Sequence, residues 1–299
     1  MRAVITTPAT VANLGPGFDI LALALELENE VVAEVVPGAA LTIDPGPDAQ
    51  EELRDPRRNL VARAYALGCQ RLGADADGVR LRCVNRIPFA RGMGSSAAAT
   101  LGGVLAAHAV HSEMWEANDV LACVAAIEGH ADNAAAALLG GLAICAPGLA
   151  AVRMDVPGEL TAVVFAPHAE LPTEQSRQVV PRSFSREDAV FNAARCALWV
   201  RALALRDYTL LGEAMDDRWH QPARAALLPG LPVLIAAARS AGARGAALAG
   251  AGPSVIALTD GPAEAIADAL TSTGREHGIA GTIRVSKIRN SGAGVHRSG

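Results

Sequence analysis

The 299-residue chain, long enough for two modest lobes or one large domain, is half apolar but only 3% aromatic, so its core has to be built mainly from Ala, Leu and Val. A formal net charge of −5, without a basic run or an aromatic-interleaved basic patch, argues against a nucleic-acid surface and favours a small-molecule ligand. Cys69, Cys83, Cys123, Cys145 and Cys196 are odd in number and sit in apolar runs with no CxxC pair, which fits free thiols in a reducing cytoplasm, and Pro8, Asn13, Pro16 and Asp19 interrupt any signal-peptide core.

Residues 3–7 read as a strand, and PATVANLGPGFDILALAL then sets Pro, Asn, Gly and Asp between apolar runs, which predicts a turn carrying Asn13 and Asp19 with core behind it. A β-run is expected over 30–36 and a polar, proline-bearing loop from Pro45 to Arg58; Asn59 then caps a helix through Leu72. Val79 to Val84 alternates Val, Leu and Cys with two arginines and predicts a strand. Helices are expected near 116–128 and 131–139 and a strand at 141–146, with Pro147, Gly148, Pro157 and Gly158 marking a lobe boundary in 147–158. The second lobe opens with a strand at 161–166 and carries helical patterns near 173–180, 186–205, 207–216 and 230–241. It closes as strand 245–249, AGAGPS, strand 255–258, helix 262–274 and strand 281–288, an α+β arrangement. The twenty residues from Asn133 to Val152 lack charge, but Gly140, Gly141 and Pro147 divide them too finely for a membrane span.

The most informative stretch is NRIPFARGMGSSAAATLGGVLAAHAVHS, residues 85–112. Gly92 and Gly94 let the main chain approach a ligand closely, and Ser95-Ser96 opens a helix whose first amide hydrogens have no internal partner. An anion can occupy that end, helped by the helix dipole. The helix behind it is almost entirely Ala, Gly, Leu and Val, which implies burial on all sides. A plain turn is the simplest alternative; a GxxxxGK[ST] loop fails because Lys287 is the only lysine, and the dinucleotide fingerprint lacks its acidic residue in the right context.

Four clusters, PATVANLGPGFD, PFARGMGSSAAA, EGHADN at 128–133 and LAGAGPS at 248–254, resemble in order and spacing the kinase superfamily of galactokinase, homoserine kinase, mevalonate kinase and phosphomevalonate kinase (GHMP). The likeness is greatest to the homoserine kinase branch and runs to the closing NSGAGV. It implies a two-lobed α+β GHMP kinase fold, with a ribosomal-protein-S5-domain-2-like lobe over 1–155 and a ferredoxin-like lobe over 156–299. It also implies ATP as phosphoryl donor, Mg2+, L-homoserine as acceptor, a homodimer and a cytoplasmic location, with no nucleic acid or membrane partner.

By the same resemblance Pro88, Phe89, Ala90, Arg91, Gly92, Met93, Gly94, Ser95, Ser96, Ala97 and Ala98 wrap the triphosphate, joined by Gly250 and Gly252, and Asn59 contributes to the adenine site. Ser96 and Glu128 are the implied magnesium ligands, a pair suited to an ion that keeps phosphate and water oxygens; each reads otherwise as a helix cap or a solvated helix end. Homoserine carries a carboxylate, an ammonium and a hydroxyl, so Asp19 is the candidate for the ammonium and Arg177 and Arg224 for the carboxylate. Asn13, His130, Asn133 and Thr173 complete the implied substrate site. Asn133 stands where mevalonate kinase has an aspartate base and cannot accept a full proton, so it is expected to orient the hydroxyl with His130 and Thr173; Asp132 is either a base or structural.

Departures from the family pattern are Met93 for leucine, Ala131 for proline, Ala249 for the serine before GAGPS, and GFDILALAL for GFDSLGLAL. None removes a proposed charged group. The same chemistry on mevalonate or shikimate, and a non-catalytic sensor, are the competing readings; neither alcohol offers Asp19 an ammonium.

Overall fold

The computed structural model describes residues 1–47, 49–146 and 150–298. Pro147 and Gly148 of the expected lobe boundary lie outside the described residues. The first lobe opens with a long hairpin, β1 (Arg2–Asn13) and β2 (Gly17–Val35), followed by β3 (Thr42–Asp44), α1 (Leu60–Arg71) and β4 (Val79–Val84). Then come α2 (Ser95–Val110), α3 (Ala117–Glu128), α4 (Asp132–Leu139), β5 (Leu142–Ile144) and β6 (Val152–Met154). The expected run at 30–36 is thus the far half of β2, and the expected loop at Pro45 to Arg58 contains a 3-10 turn over Glu51–Arg54. Asn59 caps α1 as expected, accepting from the Val61 and Ala62 amides.

The hairpin is buried unevenly. Along β1 the first residues alternate between exposed and buried, but from Thr7 to Asn13 every residue is buried. That half lies between the two lobes: Ala9, Val11, Leu21, Leu23 and Leu25 share a core with Trp199, Leu203, Ala247 and Ile256. The GFDILALAL departure is absorbed here, with Leu21, Leu23 and Leu25 buried and Ile20 facing outward.

The second lobe comprises β7 (Thr161–Pro167), α5 (Thr173–Gln178), α6 (Arg186–Ala204), α7 (Leu211–Ala214), α8 (His220–Ala225), α9 (Leu231–Ser240), β8 (Gly245–Leu248), β9 (Val255–Thr259), α10 (Glu264–Glu276) and β10 (Gly281–Lys287). Its antiparallel sheet has the order β10-β7-β9-β8, which is fourth-first-third-second, the split βαβ arrangement of a ferredoxin-like lobe. The helical pattern expected at 207–216 is a 3-10 turn leading into the short α7, and α8 was not expected at all. At six residues with Pro222 in its first turn, α8 is too short to show a helical period. The last strand, β11 (Gly294–Ser298), pairs with β1, so the end of the expected 156–299 lobe returns to the first sheet and covers its open edge. Among the described residues no helix is long and apolar enough to cross a membrane.

Helix α2 is the axis of the first lobe. Its residues from Ala97 to Ala109 are buried with the exception of Ala99, and its small side chains let α1 approach to backbone contact. A Cβ placed on Gly103 would sit 2.2 Å from the Val61 carbonyl oxygen. Gly103→Ala should therefore force the two helices apart and cost about 1–3 kcal/mol, read as a lowered urea midpoint with an unchanged slope.

Candidate active site

The loop before α2 reaches the lobe junction because two of its residues lack side chains. Gly92 and Gly94 have φ of 72° and 70°, the left-handed region. A Cβ on Gly92 would lie 2.1 Å from the Ala249 carbonyl oxygen, and one on Gly94 would lie 2.0 Å from Thr10 Oγ1. The loop is thereby pressed onto both β1 and the Ala249–Gly252 turn. Thr10 N donates to Met93 O (3.1 Å), and Gly250 N donates to Ala12 O (3.0 Å). Gly94 is also the N-cap residue of α2 and offers no capping side chain, so the first α2 amides open into the cleft uncapped.

That cleft runs along the junction of the two lobes. Ala90 to Ala97, Glu128, His130, Asp132 and Asn133 line it from the first lobe, and Thr173, Arg177, Arg224, Gly250 and Ala251 from the second, with Ala12 and Asn13 at the hairpin tip. The expected residues outside this lining are Asn59, Pro88, Phe89, Ala98, Gly252 and Asp19. Asn59 is buried, its oxygen capping α1 and its nitrogen donating to Leu53 O (2.9 Å), so its side chain is committed to its own backbone. Its neighbour Leu60 lines the outer cleft with Ser96, Glu128 and Arg182. Phe89 is half exposed, Ala98 is buried inside α2, and Asp19 faces an adjoining groove that it shares with His130.

Ser96 Oγ and Thr100 Oγ1, one helical turn apart, both donate to Glu128 Oε1, at 2.7 and 2.6 Å. Thr100 is a residue that the spacing Ser96-x-x-x-Thr100 could have revealed. These are hard oxygen donors, and no cluster of three His, Cys, Asp or Glu able to hold a metal exists among the described residues. A cation here would take two or three protein oxygens and complete its shell from a ligand and water, a set that fits magnesium.

Across the cleft, His130 Nδ1 and Asp132 Oδ1 are 2.8 Å apart, with Asp132 almost fully buried. Burial works against the charged imidazole, but the hydrogen bond and charge of Asp132 outweigh it and hold the His130 pKa above its ordinary value. Asp132 also accepts from Asn133 N at 2.7 Å. Asn133 Oδ1 accepts from Thr10 Oγ1 (2.8 Å), which leaves its Nδ2 hydrogens without a partner among the described residues.

The charges expected to hold a zwitterion are already arranged. Arg177 grips Asp19 through both oxygens, at 3.0 and 2.5 Å, across the lobe junction. Asp19 has φ of 59° and is steadied by Asn13, whose Oδ1 accepts the Asp19 amide and whose Nδ2 donates to Gly250 O. Arg224 is 1% exposed. It has no carboxylate partner among the described residues; it donates to Ser176 O, His220 Nδ1 and Gly250 O. Desolvation, with the nearby Arg177 charge, lowers its pKa to about 10, so it remains a charged guanidinium although buried. The Phe18 ring lies 5.3 Å from each guanidinium carbon, of Arg177 and of Arg224. Phe18, Thr10, Ser176 and His220 had not been anticipated; only His220, four residues before Arg224, left a sequence trace.

Residues 59–141 match the family model described as the GHMP kinases N terminal domain, and residues 199–276 match that described as GHMP kinases C terminal. A homoserine kinase of a Synechococcus species is 38% identical over 99% of each chain. One from Desulfitobacterium hafniense is 38% identical over 96% of this chain and 98% of its own. The crystal structure of a homoserine kinase from Cytophaga hutchinsonii is similar with a TM-score of 0.89 at 30% identity, covering 99% of this chain and 97% of that one.

The buried imidazole of His220 makes stability depend on pH. Burial pushes its pKa down to about 4, from an ordinary 6.5, so between those values the unfolded chain binds a proton that the folded one refuses. The contribution of neutral His220 is fully present above pH 6.5 and is lost as pH falls toward 4. Urea unfolding at pH 7, 6 and 5 should show stability dropping by up to about 1.4 kcal/mol per pH unit from this group, and His220→Asn should remove that part of the slope.

Proposed function

The chain belongs to the homoserine kinases of the GHMP kinase family, and we propose that it transfers the γ-phosphoryl group of ATP to the side-chain hydroxyl of L-homoserine. The observation that carries this reading is the meeting of uncapped helix amides and two arginines in one cleft, with the Asp19 carboxylate held at its edge by Arg177. The amides at Gly92 to Ser96 suit a polyphosphate, and the dipole of α2 adds to their pull. Asp19 suits the substrate ammonium, and Arg177 and Arg224 its carboxylate. The lobe junction supplies both halves of that pair, so the zwitterion is held where the lobes meet.

The reaction forms a bond between the homoserine oxygen and Pγ and breaks the bond from Pγ to the bridging oxygen, whose electron pair leaves with ADP; the hydroxyl proton passes to a phosphoryl oxygen and from there to water. Positioning and charge neutralisation matter more here than covalent help. Asn133 acts through its Nδ2 hydrogens, since its oxygen is taken by Thr10. It orients the reacting hydroxyl or a phosphoryl oxygen and takes no proton. His130 lines the same cleft, and its protonated form, which Asp132 favours, would add positive charge beside the transferring group. Thr173 lines the same cleft at the start of α5 and offers a hydroxyl to either ligand. Ser96 and Glu128 would hold magnesium, which when bound neutralises phosphate charge and aligns the phosphates.

Incubation of the protein with ATP and L-homoserine should yield O-phosphohomoserine and ADP, observed by 31P NMR. Product from mevalonate or shikimate in place of homoserine would overturn the assignment, as would nucleotide binding with no product from any of the three. Glu128→Gln keeps the hydrogen-bonding shape but removes the charge, and should lower turnover by about a hundredfold or more while raising the magnesium concentration needed for half activity.

A further inference from the structure

The side chain that most directly controls Arg224 is one to which the reaction assigns no part. Arg224 Nη1 spends its two hydrogens on His220 Nδ1 (3.0 Å) and Gly250 O (3.1 Å), and Nε donates to Ser176 O (3.2 Å). Nη2 is the nitrogen left without a hydrogen bond among the described residues, and the residue lines the cleft. His220 is itself fully buried, with Nε2 2.6 Å from Gly15 O.

The partners fix the state of the ring. A guanidinium only donates, so Nδ1 must present its lone pair; a carbonyl only accepts, so Nε2 must carry the hydrogen. The one carboxylate near the ring, Asp217, has Oδ2 3.5 Å from Nε2, but that oxygen accepts from Gln221 N at 2.6 Å and its mate accepts from Asn192 and Trp219 N. The other groups facing His220 are the Phe18 ring, with centroids 5.4 Å apart, and the charges of Arg224 and Asp19. Nothing in this shell demands a positive imidazole, and Arg224 forbids one. The chain thus stretches from the hairpin tip through a neutral ring to the buried guanidinium: Gly15 O, His220, Arg224.

We propose that His220 is a positioning residue for substrate recognition: its neutral Nδ1 holds Arg224 Nη1 so that Nη2 is presented to the carboxylate of the amino-acid acceptor. This deepens the reading of the cleft as a homoserine site and rests on it. A carboxylate acceptor at this point would neutralise Arg224 and spoil it for a substrate anion, whereas an uncharged acceptor orients the guanidinium and leaves its charge available.

Two substitutions separate positioning from packing. In His220→Asn the side-chain oxygen occupies the place of Nδ1 and can still accept from Arg224, whereas in His220→Gln the amide nitrogen takes the place of Nε2 and satisfies only Gly15. Steady-state kinetics should show the KM for L-homoserine within about threefold of native in His220→Asn and raised about tenfold or more in His220→Gln. In both, kcat and the KM for ATP should move by less than about threefold. For 3-aminopropan-1-ol, which has the hydroxyl and the ammonium but no carboxylate, His220→Gln and the native enzyme should not differ. A native KM for homoserine in His220→Gln, an equal rise in both variants, or an equal rise with the carboxylate-free alcohol overturns the proposal. Independently of turnover, the 15N spectrum of the native protein at neutral pH should show His220 unprotonated at Nδ1 and protonated at Nε2; the other tautomer or an imidazolium overturns it too. If the native protein makes no phosphohomoserine, the functional reading falls, while the spectrum still decides the His220–Arg224 contact. If His220→Gln does not fold, His220→Asn and the spectrum remain decisive.

Discussion

Helix α2 begins where it does because two residues before it, Gly92 and Gly94, lack side chains, and the rest of the cleft is measured from that point. Gly92 meets the Ala249 carbonyl and Gly94 meets Thr10 at distances that no Cβ could occupy. The loop therefore touches both lobes at once, and the amides of α2 open exactly between them into the cleft rather than onto a surface. The same economy of side chains runs down the helix, where Gly103 lies against the α1 backbone and Ala residues fill the space that Leu would overfill. An alanine-rich chain with few aromatics builds its core by bringing backbones close, and one consequence is a rigid seat for a polyanion.

The second constraint is electrostatic. A buried guanidinium without a carboxylate is costly, and the structure tolerates Arg224 by giving it carbonyls and a neutral imidazole. Under the proposed function the substrate carboxylate would offset that cost, which would make binding and charge neutralisation one event. Arg177 stands in contrast, already matched to Asp19 and partly open to water. On the proposed reading, an incoming zwitterion would take both members of that pair, its ammonium meeting Asp19 and its carboxylate meeting Arg177, so no charge need be left alone. Both arginines approach the same Phe18 ring, which ties the two recognition groups to the hairpin tip.

Much of the fold could be read from local signals. Asn59 before an apolar-periodic segment marked α1, the alternation of Val79 to Val84 marked β4, and the serine pair after Gly94 marked the start of α2. The long hairpin was seen only in pieces, because its tip is buried on one face by α2 and α4 and on the other by elements from the second lobe, and so loses the period of two. Helix α8 was missed for the opposite reason: six residues with a proline carry too little pattern, although they bring His220 and Arg224 onto one face. The pairing of β11 with β1 has no local signal, being a contact between the two ends of the chain.

The sequence by itself determined which helix bears the uncapped amides, since glycine, serine and alanine at fixed spacing leave few other conformations. It also determined the family, through four ordered clusters that occur together along one chain. Tertiary structure alone decided how those groups are used. It spends the Asn59 side chain on a helix end, occupies the Asn133 oxygen with Thr10, matches Arg177 to Asp19 and, among the described residues, gives Arg224 no carboxylate. Each outcome depends on partners distant in the chain, and a hydrogen-bonding group has a role only once its neighbours have claimed their share of its donors and acceptors.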